Sequence, residues 1–187
     1  MLVLLVALVL ACLGSGEPGL RAGIRVTART SYALFLLPFA ASSCVTLFPG
    51  PASKWLLRNR RVLGVSMAVS MGLHGALIVT LALAHRAPLF ATVQMSTLIG
   101  GGIGYVLIAL MTATSFDRSA ALIGKAAWKV LHKTGMYYLW IVFMFSYLGR
   151  LRSPAYAVLI GLLLLTLGLR IAVRIKRRYR HRLPAGR

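Results

Sequence analysis

Six apolar runs, each closed by basic residues, glycine or proline, punctuate this sequence: Leu2 to Leu13, Tyr32 to Phe48, Val62 to Ala84, Leu89 to Met111, Ala126 to Leu148 and Ala155 to Val173. A hydrocarbon layer about 30 Å thick is crossed by about 20 helical residues. Inside it every backbone amide must find its partner within the bundle, which leaves helices as the natural solution for runs of this length. The pattern therefore predicts an all-α fold, a polytopic membrane helix bundle of six spans. The first run is short and ends at Gly14, Ser15, Gly16, Glu17 and Pro18, so it is either a cut-down span or a processed signal, and its cleavage would leave five. The expected organisation is a short first span or signal plus outer loop over 1–29, the bundle over 30–173 and a basic tail over 174–187, too short to fold alone.

Charge sharpens the reading. Of 187 residues 59% are hydrophobic and 13% charged, too apolar for a water-soluble globule, and 22 Lys and Arg face only Glu17 and Asp117, for a net charge of +20. The bases fall in clusters between apolar runs, where they contact anionic lipid headgroups, and not on a solvated face that would bind nucleic acid. With an inside N-terminus, sixteen of the 22 bases collect on one side, in the stretches Lys54 to Arg61, Arg118 to Lys133 and Arg170 onward. The other side receives Arg21, Arg25, Arg29, Arg86, Arg150 and Arg152. Cytoplasmic loops keep the excess, so the C-terminus is expected in the cytoplasm. Two isolated acids exclude paired-carboxylate hydrolysis. Cys12 and Cys44 lack CxxC spacing and read as small packing residues. The Val9–Cys12 stretch is a poor lipoprotein cleavage box, because no Lys or Arg precedes the run.

Ionisable side chains within a bilayer are costly and usually face the bundle interior, which singles out His74 and His132. His85 beside Arg86 and His181 in the tail read as surface residues. A neutral imidazole ligates haem iron through one nitrogen while its other N–H donates to the protein, and two of them make an electron-transfer haem. Room for a porphyrin would come from Gly72 and Gly75 around His74 and from Gly135, one turn beyond His132. The bland alternative is that each histidine hydrogen-bonds a neighbouring helix. Gly100, Gly101, Gly102 and Gly104 lie within an apolar span and follow no strand, so they read as a helix-packing face and not a nucleotide loop. Trp128, Tyr137, Tyr138 and Trp140 read as interface and core aromatics.

The stretch Arg60, Arg61, Val62, Leu63, Gly64 with His74 ten residues after the glycine, then Thr114, Ser115, Phe116, Asp117, then Trp128, Leu131, His132 and Tyr137, resembles the ferric reductase-like transmembrane domain. Within that superfamily it is most similar to the small stand-alone members, and the resemblance runs from about Thr30 to Leu148. It implies a six-helix bundle in the bacterial inner membrane with one b-type haem between the third and fifth spans. By position, His74 matches the third-span ligand and His132 the first of two fifth-span histidines. The second, thirteen residues on, is Phe145 here, which cannot bind iron, so a two-haem wire is not expected. On upright helices His74 lies roughly 18 Å beyond Val62 and His132 roughly 9 Å beyond Ala126, an offset that tilt would have to absorb. Met136 and Met144 are alternative axial partners for His74.

The resemblance implies a membrane haem b electron-transfer subunit carrying electrons from the cytoplasmic side towards a periplasmic redox partner. Only about 14 residues follow the last span and no Gly-rich strand-to-helix motif occurs, so the donor would be a separate flavoprotein or quinol, with no covalent flavin expected. The basic tail would dock an acidic donor or, more simply, set topology and touch lipid. The competing expectation, suggested by Phe145, is a non-redox scaffold, assembly or transport subunit that has lost haem binding. Catalysis without a cofactor has no support, since no nucleophile, base and orienting acid converge.

Overall fold

The computed structural model describes residues 9, 11, 14–84 and 95–182, all in helices or the short connections between them. The helices are α1 (Gly16–Leu47), α2 (Pro51–Arg58), α3 (Arg60–Ala84), α4 (Met95–Ala113), α5 (Asp117–Leu148) and α6 (Pro154–Arg182). No strand occurs among the described residues. Three helices, α1, α3 and α6, are each long and apolar enough to cross a bilayer, and the pair α4–α5, bent by 113°, supplies a fourth candidate. The expected first span, Leu2 to Leu13, lies outside the described residues save Val9 and Ala11, as do His85 and the start of the fourth apolar run.

Three helices are clearly longer than the apolar runs that seeded them, α5 among them, which starts at Asp117 and not at Ala126. α1 starts at Gly16, not near Tyr32, so residues 16–29, expected as outer loop, form its first half. Gly16 opens it at φ 66, a backbone angle that suits glycine, and Glu17 in the first turn pairs with Arg21 one turn on at 2.7 Å. α6 carries on through the basic stretch to Arg182. Nucleation is the costly step of helix formation, and here the apolar part has already met it, so arginine and lysine, both good helix formers, simply extend the ladder.

The order of contacts fixes the topology. Thr27 of α1 meets His74 of α3 while Ser31 meets Ser70, so α1 and α3 are antiparallel. Met111 lies against Gly135 while Gly104 lies against Leu139, so α4 and α5 are antiparallel as well. The Trp140 indole donates to the Leu163 carbonyl at 3.1 Å and Tyr147 packs on Tyr156, which sets α6 antiparallel to α5. The starts of α3 and α5 are tied together by Arg61 and Asp117, 2.6 Å apart. The interior is a cluster led by Tyr32, Phe35 and Phe39 of α1, Met67 of α3, Met111 of α4, Leu139 and Phe143 of α5 and Leu163 of α6.

One end of this bundle gathers α2, the starts of α3 and α5 and the end of α6, and with them the larger set of bases expected from the sequence. Gly124, at φ 77, breaks α5 there and turns its first two turns away from the apolar stretch. Trp55, Phe116 and Leu122 are exposed at the same end, Leu122 at 87%. Apolar and aromatic side chains interleaved with Lys54, Arg58 and Arg118 are what a bilayer interface selects.

Among the described residues the Tyr147 hydroxyl is the one fully buried side-chain polar atom with no hydrogen-bond partner, its ring held between Tyr32 and Tyr156. A buried hydroxyl without a partner carries a desolvation cost of about 1–3 kcal/mol. Tyr147→Phe should therefore leave the melting temperature unchanged or raise it in detergent, and a clear loss of stability would mean that the hydroxyl has a partner in the folded protein.

Candidate functional site

His74 sits in α3 on the seam with α1, on a polar stripe formed by Ser66, Ser70 and His74 at intervals of one turn. The Thr27 hydroxyl donates to the Gly23 carbonyl at 2.8 Å, so its lone pair is free to accept from the imidazole. His74 Nδ1–H lies 3.1 Å from both that hydroxyl and the Ile24 carbonyl. Two acceptors around one ring nitrogen place the proton on Nδ1 and leave the lone pair on Nε2. One turn along the seam, the Ser31 hydroxyl donates to Ser70 at 2.8 Å, and Ser70 donates to the Thr27 carbonyl at 3.3 Å. Thr27, Ser31 and Ser70 are all fully buried.

His132 belongs to a different seam. The Thr114 hydroxyl, at the end of α4, donates to the Leu110 carbonyl at 2.7 Å and accepts from His132 Nε2–H at 3.2 Å. The imidazole stacks on Trp128 with ring centres 4.3 Å apart, and the Trp128 indole donates to the Thr114 carbonyl at 2.9 Å. His132 is thus part of the staple that holds the α4–α5 turn, and Trp128 is its platform.

The two glycines expected to make room for a cofactor are filled by protein. A Cβ on Gly75 would stand 2.9 Å from the Tyr105 hydroxyl, which crosses from α4 to donate to the Met71 carbonyl at 3.0 Å. A Cβ on Gly135 would stand 2.5 Å from the Met111 sulfur. Gly72 has open space beside it. Of the expected packing glycines, Gly104 receives Leu139 and Tyr138, and the Gly100 carbonyl accepts from the Tyr138 hydroxyl at 2.9 Å.

The contact register also separates the histidines in depth. Tyr105 is level with Met71 and Gly75, whereas Thr114, the partner of His132, lies nine residues further along α4. At the helical rise that is roughly 13 Å. Followed across α4, the level of His74 meets α5 near Leu139 and the level of His132 meets α3 near Val65, positions without an imidazole. The expected alternatives, Met136 and Met144, are packed against the aromatic core. His74 and His132 are thus held on different seams, each by a hydroxyl of a neighbouring helix. Among the described residues no three of His, Cys, Asp and Glu gather as a metal site. Compared with known proteins, the chain matches no family model, no curated protein and no solved structure.

Of the groups that engage the histidines and glycines, Thr27, Ser31, Ser70 and Tyr105 are not singled out by the sequence, and Thr114 enters only as part of the motif that carries the resemblance. The signal was present: Thr27 and Ser31 stand one turn apart on α1, as do Ser66, Ser70 and His74 on α3. Gly135→Ala should cost about 1–3 kcal/mol by overpacking against Met111. Combining it with Met111→Ala should cost less than the two single changes added together. Strict additivity in a denaturation cycle would show that Met111 does not fill the space over Gly135.

Proposed function

We propose that this chain is a multi-pass scaffold or assembly subunit of a membrane complex, built on a ferric reductase-like frame whose iron site has been lost. The observation that carries the reading is the use already made of His74, His132, Gly75 and Gly135. His74 is bonded to α1, His132 staples the α4–α5 turn, and the spaces over Gly75 and Gly135 hold Tyr105 and Met111. Phe145, where a second fifth-span histidine would stand, is 70% exposed and offers no ligand.

The bundle has five passes over the described residues, α1, α3, α4, α5 and α6, and the Leu2–Leu13 run either adds a sixth or is removed. Support for counting α4 and α5 separately comes from their antiparallel contacts, Gly100 with Tyr138 at one end and Thr114 with His132 at the other. The crowded basic end lies in the cytoplasm, with the C-terminus, and the membrane is the bacterial inner membrane.

A second reading, a haem b subunit passing electrons from a cytoplasmic flavoprotein or quinol to a periplasmic acceptor, is favoured by His74, whose Nδ1–H bond to the Ile24 carbonyl leaves Nε2 unbonded. The two readings part on spectrum and on mutation. Protein purified from cells supplied with haem precursor should give no b-type bands in a reduced-minus-oxidised spectrum. His74→Ala and His132→Ala should fold and insert, each losing about 1 kcal/mol, in line with the modest worth of hydrogen bonds between membrane helices. A b-type spectrum that disappears in His132→Ala would replace the scaffold with the electron-transfer subunit. A reporter fused after Arg187 should be active only in its cytoplasmic form, and periplasmic activity would reverse the orientation.

A further inference from the structure

At the basic end of the bundle a cleft of about 550 Å³ opens between α1, α5 and α6. One wall is a stripe of arginines on a single face of α6: Arg170, Arg174, Arg177 and Arg178. Facing it are the hydroxyl residues Ser42 and Ser43 of α1 and Tyr137 of α5. Arg170 is the anchored member. Its guanidinium donates to the Phe39 carbonyl at 3.0 Å and lies 4.3 Å from the centre of the Phe39 ring and 5.0 Å from that of Tyr137. A guanidinium has five N–H groups in a rigid fork, so donors remain for a ligand.

Four like charges on adjacent turns repel, and among the described residues no carboxylate lines the cleft to neutralise them. The chain's only acids are Glu17 and Asp117. Glu17 is paired with Arg21 at the far end of α1, and Asp117 with Arg61. The α5–α6 register adds to the excess, bringing Lys133 level with Arg170 and Lys129 level with Arg174. The counter-charge must come from outside. A second groove, lined by Val130, Lys133, Thr134, Tyr138 and Ile141, shares Tyr137 with the cleft and runs along the apolar face of α5 towards the middle of the bundle. A polyanionic head and an apolar tail are thus accommodated side by side, at the depth where an inner-leaflet phospholipid presents both.

We propose that this cleft is a binding site for an anionic phospholipid, its phosphate groups held by Arg170, Arg174, Arg177 and Arg178 and one acyl chain lying in the groove beyond Tyr137. Arginine suits the task because its fork matches phosphate oxygens two at a time. Arg170, buttressed by two aromatic rings, fixes the position of the head, while the three outer arginines close on it. The inference rests on the membrane placement proposed above and not on the presence or absence of haem.

The test uses the full chain in detergent, titrated with phosphatidylglycerol or cardiolipin and read by native mass spectrometry. Wild type should retain the anionic lipid over phosphatidylcholine. The triple variant Arg174→Gln, Arg177→Gln, Arg178→Gln leaves the packed Arg170 in place and should weaken retention by roughly a hundredfold, about fivefold for each cation removed. Lys54→Gln, Arg58→Gln, Arg118→Gln removes equal charge from the same end outside the cleft and should retain the lipid within about twofold. Equal losses in the two triples would reduce the effect to diffuse attraction and overturn the site. Displacement of the lipid by millimolar inorganic phosphate would overturn the lipid assignment in favour of a free-anion site. Flotation with phosphatidylcholine vesicles separates the failures: a chain that floats yet does not select anionic lipid refutes the site alone, and one that does not float refutes the membrane reading.

Discussion

The bundle depends on the requirement that polar groups within a hydrocarbon layer be satisfied by protein. Thr27, Ser31, Ser70 and His74 meet it together along the α1–α3 seam, each taking a partner that another supplies. Individually such bonds are worth little, about 0.6 kcal/mol on average, because the unfolded helix in the membrane also finds partners. Their weight lies in direction. An apolar seam tolerates sliding and rotation, whereas a threonine that must meet a histidine one helix away fixes both at once.

The same requirement explains the bonds that the two histidines make. A ligating imidazole and a helix-locking imidazole both donate one N–H to the protein, so the first bond does not distinguish them. Position does. His74 is held at the level of Tyr105 and His132 at the level of Thr114, with Tyr105 and Met111 filling the ground between helices where a flat cofactor would lie. Tyr105 and Met111 thus occupy the space beside Gly75 and Gly135.

Electrostatics divides the molecule along its axis. The two carboxylates are spent on Arg21 and Arg61, so the remaining bases act outward, on the bilayer surface and on what lies within it. Arg170 shows how one of them is made specific: it is gripped by Phe39 and Tyr137 at the depth where the apolar part of α6 gives way to the basic part. In the sequence it is one more arginine, near the end of the sixth apolar run. Only the meeting of three helices makes it the floor of a cleft.

Helical character, the apolar helices over Val62–Ala84 and Ala155–Val173, and the two-ended distribution of charge are readable in the chain, because each is set by local hydropathy and by the bilayer's thickness. The early start of α1 is not, since a helix that crosses from polar to apolar residues carries no break in composition to mark where it begins. Nor are the partners of His74 and His132. Which ring meets which hydroxyl depends on rotation and register between helices, and these follow from the packing of Tyr32, Phe35, Phe143 and their neighbours across long stretches of sequence. Hydropathy reports how deep a residue can lie. Only packing between helices decides what it faces when it gets there.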